Sequence, residues 1–262
     1  MISVTLIGSG NVATHLFKAF NKANKVVVNE WFSRNTDAIL EYEKQTIITD
    51  DLSQLQNSDI YILAISDDAL SKVSDQLPFE NRLIVHTSGS VNMKDLNKKN
   101  RRGVFYPLQT FSKDTAVDFN TIPLCIEAVN KKDLAILESL AIAIGSPCCK
   151  IDTEQRQTLH ISAVFINNFV NQLYRIAHEI SDDKNIEFEM LKPLIMETAN
   201  KVQNISPYRA QTGPAIRRDK KTIKRHLRLL EKDEHKAIYE LLTKSIQNTH
   251  GISRTSTTKK HN

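Results

Sequence analysis

The stretch ISVTLIGSGNVATHLFKAF, residues 2–20, decides how the rest of the chain reads. Ile2 to Ile7 form an apolar run of strand type, and Gly8 and Gly10 follow it directly in a chain that has only seven glycines. Beyond them Val12, Leu16 and Phe20 recur every fourth residue with Ala13 and Phe17 beside them, the spacing of a helix that lays one face on a sheet. Strand, glycine turn and helix in that order make GSGNVA (Gly8, Ser9, Gly10, Asn11, Val12, Ala13) a GxGxxA fingerprint of dinucleotide binding. Gly8 permits the tight turn, Gly10 lets the backbone approach a pyrophosphate, and Ala13 lets the helix pack closely on its strand. The first amides of the helix then point at the phosphates.

Working outward, KVVVNEWF (residues 25–32) is β-branched and aromatic and predicts the next strand, which completes a βαβ unit. The alternation continues through a helix over 36–44, a strand over 46–49 and a helix over 52–56. Two nearly continuous apolar strands follow at 59–66 and 82–88, with a helix over 69–77 between them. Weaker strands lie at 103–106, 123–128 and 147–151, with a helix over 133–144. Strands this apolar are covered on both faces, so the fold class is α/β, a doubly wound parallel sheet of the Rossmann type. Near Asp152 the pattern changes to helix alone. Residues 153–182 hold no Gly or Pro and predict one long helix, followed by helices over 188–202, begun or interrupted near Pro193, and over 222–247. The expected domains are a nucleotide-binding domain over 1–152, an all-helical domain over 153–250 and a disordered tail over 251–262.

Apolar residues make up 40% of the 262 and charged residues 25%, enough for a sizeable core and unlike a disordered or fibrous chain. The net charge of +5 has one address: residues 217–236 carry nine Lys or Arg against four Asp or Glu, and the remainder is neutral. Acids interleave those bases and Phe, Tyr and Trp are absent there, so nucleic acid is not expected as a partner. No apolar run reaches eighteen residues and no basic segment precedes the first apolar one, so a cytoplasmic protein without a membrane partner is expected. Cys125, Cys148 and Cys149 lack CxxC spacing, which argues for packed thiols and against a metal.

About twenty residues beyond the fingerprint an NAD site places Asp or Glu for the ribose hydroxyls. Here stand Ser33, Arg34 and Asn35. Ser33 and Asn35 can hydrogen-bond a 2′-phosphate and Arg34 supplies charge for it, so NADP(H) is expected over NAD(H), against a reading of Arg34 as a solvated turn residue. Ligands of such sheets lie at the carboxyl ends of strands. That adds Ile65, Ser66 and Asp67 after one buried strand and His86, Thr87, Ser88 and Gly89 after the next, nearer the nicotinamide.

Taken together, GSGNVA, SRN, LAISDDAL, VHTSGS, FYPLQTF (105–111), HISAVFINNF (160–169) and TGPAIRRD (212–219) resemble bacterial Rossmann-like proteins with a C-terminal domain of unknown function. These are similar to pyrroline-5-carboxylate reductase, the deazaflavin-dependent NADP oxidoreductases and the 6-phosphogluconate dehydrogenase group. The resemblance implies a helical C-terminal domain and a homodimer formed through it. Hydroxyacid dehydrogenases of the wider group use a lysine near the start of the interdomain helix with an asparagine one turn on. No lysine lies between Lys150 and Lys184 here, so that lysine is not carried over.

Reduction of a carbonyl or imine needs a proton donor beside the developing alkoxide or amine. His160 and Asn168, on one helical face with Asn167 beside them, are the first candidates, and His86 with Ser88 to orient it is the second. Each also reads as a structural polar residue with a buried partner. In TGPAIRRD, Arg217 can fork a carboxylate or phosphate of an anionic substrate while Asp219 caps a helix, or the two form a salt-bridged helix start. Gln109, with Tyr106, adds contacts from the PLQT loop. The leading expectation is an NADP(H)-dependent oxidoreductase acting on a small carbonyl, imine or hydroxyacid held between the domains. The alternative is a non-catalytic NADP(H) sensor, which the missing lysine favours.

Overall fold

The structure, a computed structural model, describes residues 1–251, so the expected tail lies outside the described residues except for Gly251. The chain forms two compact units, Met1–Asn168 and Phe169 onward. In the first, β1 (Ile2–Ile7), α1 (Asn11–Lys22), β2 (Val26–Phe32), β3 (Ile47–Thr49), β4 (Ile60–Leu63), α2 (Leu70–Gln76), β5 (Leu83–His86), β6 (Arg101–Pro107), β7 (Leu124–Ala128), α3 (Lys131–Ala143), β8 (Cys148–Lys150) and α4 (Thr153–Ala163) follow one another. The strands build one eight-stranded sheet in the order β3-β2-β1-β4-β5-β6-β7-β8. This is the doubly wound Rossmann sheet, and strand order reverses between β1 and β4, where the carboxyl ends leave a crevice.

β4 and β5 are buried at every position, as strands covered on both faces must be. On one face of the sheet Leu16, Phe17 and Phe20 of α1 pack with Trp31 of β2, the Phe17 and Trp31 rings stacked at 4.5 Å. On the other face Leu63 and Ile84 meet Leu70 and Leu77.

Several elements differ from expectation. The segments expected as helices at 36–44 and 52–56 are 3-10 turns (Thr36–Ala38, Leu40–Tyr42, Leu52–Gln54). Connections this short do not offset the cost of a helical nucleus, and Asp51 draws its segment into a turn by accepting from Ser53 N–H at 2.8 Å. β7 runs antiparallel to β6, against an all-parallel expectation. The connection over 108–123 contains no α-helix, and without a crossover the chain can only return antiparallel. The helix expected over 153–182 continues from α4 through a π-helical segment (Val164–Phe169) into α5 (Val170–Asp182). The first unit therefore runs to Asn168 and takes α4 with it.

In the second unit α5 is followed by α6 (Lys192–Asn204), α7 (Pro207–Ala210), α8 (Lys220–Leu229) and α9 (Asp233–Gly251). Pro193 sits in the first turn of α6, where its missing N–H has no partner to lose. The single helix expected over 222–247 is two: Leu230 is extended (φ −73°, ψ 126°), and Asp233 and Glu234 open α9, where acids suit the positive end of a helix dipole. Glu179 of α5 gathers Arg175, Lys232 and His235 around one carboxylate. No described helix is long and apolar enough to cross a membrane.

Candidate active site

A cavity of about 1240 Å³ opens at the carboxyl ends of β1, β2, β4 and β5 and is lined by residues of the first unit. Gly8, Ser9, Gly10, Asn11 and Val12 line it. Gly8 has φ +117°, and a Cβ there would lie 2.2 Å from the Ala64 carbonyl oxygen, so only glycine makes this turn. Trp31 Nε1 donates to the Gly8 carbonyl at 2.6 Å and holds the turn from below. Around Gly10 a Cβ would meet nothing within 4 Å, and as the N-cap of α1 it brings no side-chain cap to the helix amides. An uncapped helix start with open approach fits a pyrophosphate, so the residues present fit a dinucleotide. Ala13 is buried and serves the packing of α1 rather than the cavity surface.

At one end of the cavity stand Ser33, Arg34 and Asn35 with Asp50, Lys72 and Val73. Ser33 is buried, its hydroxyl donates to the Asn35 carbonyl at 2.7 Å and lies 2.9 Å from Ser9 Oγ, so it ties the two loops together and is not free for a phosphate. Arg34 and Asn35 are exposed and remain available. Lys72 of α2 is a second cation that the sequence reading passed over. Its signal was its position in the first turn of the helix after β4.

At the other end Ile65, Ser66, Thr87, Tyr106, Gln109, His160, Asn167 and Asn168 line the cavity. The π-helical segment explains why Asn167 and Asn168 both reach it: a widened turn lets neighbours that a regular helix would splay share one side. His160 Nδ1 lies 3.0 Å from the Tyr106 hydroxyl. Burial, with Cys125 nearby, pushes the Tyr106 pKa up to about 12, so the hydroxyl keeps its proton and pairs with Nδ1 as either donor or acceptor. A Cβ on Gly89 would lie 2.4 Å from Nδ1, so glycine is what lets the loop after β5 lie against the ring.

Other expected positions fall elsewhere. Asp67 does not line the cavity; its carboxylate accepts from the Ser90 hydroxyl. His86 is fully buried, its Nδ1 accepts from Ser88 N–H at 3.1 Å, and its Nε2 has no partner among the described residues. Burial, and next the Arg156 guanidinium, pulls its pKa down to about 3, so His86 stays neutral, out of ligand reach, and is corrected from proton donor to structural residue. Ser88 does not orient it with its hydroxyl, which accepts from Ser90 N–H at 3.1 Å and Val91 N–H at 3.0 Å as a turn cap. In the second unit Asp219 caps α8 by accepting from Thr222 N–H at 3.0 Å, and Arg217 is exposed.

Sheet order, glycine cradle and cavity define a Rossmann protein whose crevice fits a dinucleotide. Residues 3–89 match the family model described as NADP oxidoreductase, coenzyme F420-dependent, and residues 122–246 match a domain of unknown function, DUF2520. A solved structure from Bacteroides fragilis, described as a candidate NADP oxidoreductase, is 38% identical, with 96% of this chain and 98% of that one covered and a TM-score of 0.85. The chain belongs to this family, in which an NADP oxidoreductase domain precedes DUF2520. It shares the fold with a pyrroline-5-carboxylate reductase of Streptococcus pyogenes (12% identity, 96% and 99% covered, TM-score 0.62). The same holds for an imine reductase variant of Myxococcus stipitatus solved with NAD+ (14%, 96% and 96%, 0.61). No functionally curated protein matches the chain.

Proposed function

We propose that the protein is an NADP(H)-dependent oxidoreductase of a small carbonyl or imine, or of the corresponding hydroxyacid in reverse, with His160 as the proton donor. The observation that carries this reading is that one cavity joins the pyrophosphate cradle at Gly8–Val12 to the His160–Tyr106 pair. When bound, NADPH supplies the hydride. The amides opening α1 hold the pyrophosphate, and Arg34 with Lys72, two cations against the one acid Asp50, favour a 2′-phosphate. With the Tyr106 hydroxyl donating to Nδ1, His160 gives its Nε2 proton to the oxygen or nitrogen that gains charge and takes the Tyr106 proton at Nδ1, so the ring stays neutral and the charge passes to the Tyr106 oxygen, which solvent reprotonates. Asn167, Asn168, Gln109 and Thr87 offer hydrogen bonds that orient the substrate.

The test is stereospecific deuterium transfer from NADPH labelled at C4 into a component of a metabolite pool. Transfer by the wild type and its loss in His160→Gln are expected. A protein that binds NADPH but transfers deuterium to nothing is the sensor of the alternative reading. Calorimetry should show NADPH bound about tenfold or more tighter than NADH, with Arg34→Ala erasing the preference; equal affinities for the two would reject the 2′-phosphate assignment. We also propose a homodimer through the second unit, supported by its exposed apolar side chains, among them Met190, Leu194, Leu241 and Leu242.

A further inference from the structure

Arg156 takes part in none of the sequence motifs, yet among the fully buried side chains of the described residues only Trp31 is larger. Its Nη1 donates to the Ser88 carbonyl at 3.0 Å, and its Nη2 to Glu127 Oε2 at 3.3 Å and Thr153 Oγ1 at 3.4 Å. Thr153 itself donates to the Glu127 carboxylate at 2.8 Å, so the acid that pairs with Arg156 is held from a second side. A guanidinium removed from water is unfavourable unless such partners surround it, and well-packed apolar side chains commonly serve stability as well. Stability alone therefore does not account for an arginine here.

Its place on α4 does. Arg156 and His160 are one helical turn apart on the same face. That stretch of helix meets three successive residues of the loop after β5: Arg156 reaches the Ser88 carbonyl, the His160 ring lies on Gly89, and Gln157 Nε2 donates to the Ser90 carbonyl at 2.7 Å. Glu127 and Cys125 alternate on β7 with their side chains on one face, and Cys125 is the register partner of Tyr106 on β6. The Arg156–Glu127 pair thus sets α4 against the part of the sheet that carries Tyr106.

We propose that Arg156 is a positioning residue, which locks α4 to the 88–90 loop and to Glu127 and thereby holds His160 against Tyr106 in the cavity. The inference deepens the functional reading and is tested apart from it, because the readout is the state of one imidazole rather than turnover. Full-length protein labelled with 15N-histidine is examined by long-range proton–nitrogen correlation, and the His160 signals are assigned by their loss in His160→Gln. The wild type should show a single tautomer with the proton on Nε2. Arg156→Lys keeps the charge but not the planar fork that reaches Ser88 and Glu127 together. It should give a mixture of tautomers at His160, with the histidines other than His86, which Arg156 also faces, unmoved and NADPH affinity within about twofold of wild type. In Arg156→Ala, millimolar guanidinium should restore the wild-type pattern and sodium should not. Should the alanine variant not fold, Glu127→Gln, which keeps the volume and removes the charge partner, is expected to shift His160 in the same direction. A single unchanged tautomer in both Arg156→Lys and Glu127→Gln overturns the proposal, as does a change spread equally over all histidines, which would mark a residue of the fold. A wild type that binds no NADPH would refute the functional reading and leave the tautomer result to decide the role of Arg156.

Discussion

In the first unit large side chains vanish from solvent: Trp31, Tyr61, Phe17 and Phe105 are all fully buried. In the second, Ile176 and Ala215 are the only buried apolar residues among those described, while Met190 is 74%, Leu241 68% and Leu194 63% exposed. One unit closes a core around its own sheet. The other has amphipathic helices whose apolar sides lack an interior, held by polar contacts such as those at Glu179, which surface ion pairs make weak. An obligate interface resembles a domain core cut in half, and the second unit has the composition of one such half. The residues that line the cavity all belong to the first body, and the proposed homodimer would cover the second.

The largest effect should therefore come from charging the exposed side of the second unit. Met190→Glu with Leu194→Glu removes four apolar side chains from a two-fold dimer, a loss on the order of 8 kcal/mol at about 2 kcal/mol each. Light scattering should find the wild type dimeric, with a melting temperature that rises with concentration, and the double variant monomeric. A double variant that stays dimeric would break the contrast. Next in size is a pair inside the first unit. Gly8→Ala forces a Cβ onto the Ala64 carbonyl at an unfavourable φ and should destabilise by on the order of 3 kcal/mol. Gly10→Ala meets nothing, so it should leave stability within about 0.5 kcal/mol and weaken NADPH binding instead. Equal destabilisation by both would mean that the cradle is ordinary packed backbone.

What could be read from the sequence follows the same division. Residues 2–20 put strand, turn and helix within one local stretch, and the continuous apolar runs of β4 and β5 state their own burial, so the sheet and the cradle were legible. The antiparallel β7 was not, because its direction depends on a connection without a helix rather than on the strand's residues. The reacting end was only half legible: His160 and Tyr106 are 54 residues apart, and Arg156 and Ser88 are 68 apart, so neither pairing leaves a local pattern. His86 misleads because it ends its strand on the buried side, while the next residue, Thr87, faces the cavity.

That burial has a pH signature confined to the first unit. In the unfolded chain His86 titrates near 6.5, and in the folded protein at about 3, so between these values the unfolded state binds a proton that the folded state refuses. Stability is complete above 6.5 and falls as pH drops toward 3, by about 2 kcal/mol at pH 5. Urea titrations followed by Trp31, the chain's single tryptophan, report this unit. His86→Asn, whose amide oxygen can still accept from Ser88 N–H, should flatten the loss between pH 7 and 5; an unchanged slope would assign it to other groups.

The smallest expected effect separates packing from positioning at the fingerprint. Trp31 does two things: its ring stacks on Phe17, and its Nε1 donates to the Gly8 carbonyl. Trp31→Phe preserves an aromatic ring for the stack and removes the donor, so it should cost about 1 kcal/mol, the net worth of one buried hydrogen bond. Because the lost bond holds the glycine turn, NADPH affinity should fall with it. Phe17→Leu disturbs the same stack from the helix side without touching Gly8, and should lower stability while leaving affinity alone. If both variants lower affinity alike, the indole supports the turn through packing, and the first unit's core rather than its one tryptophan hydrogen bond sets the cradle.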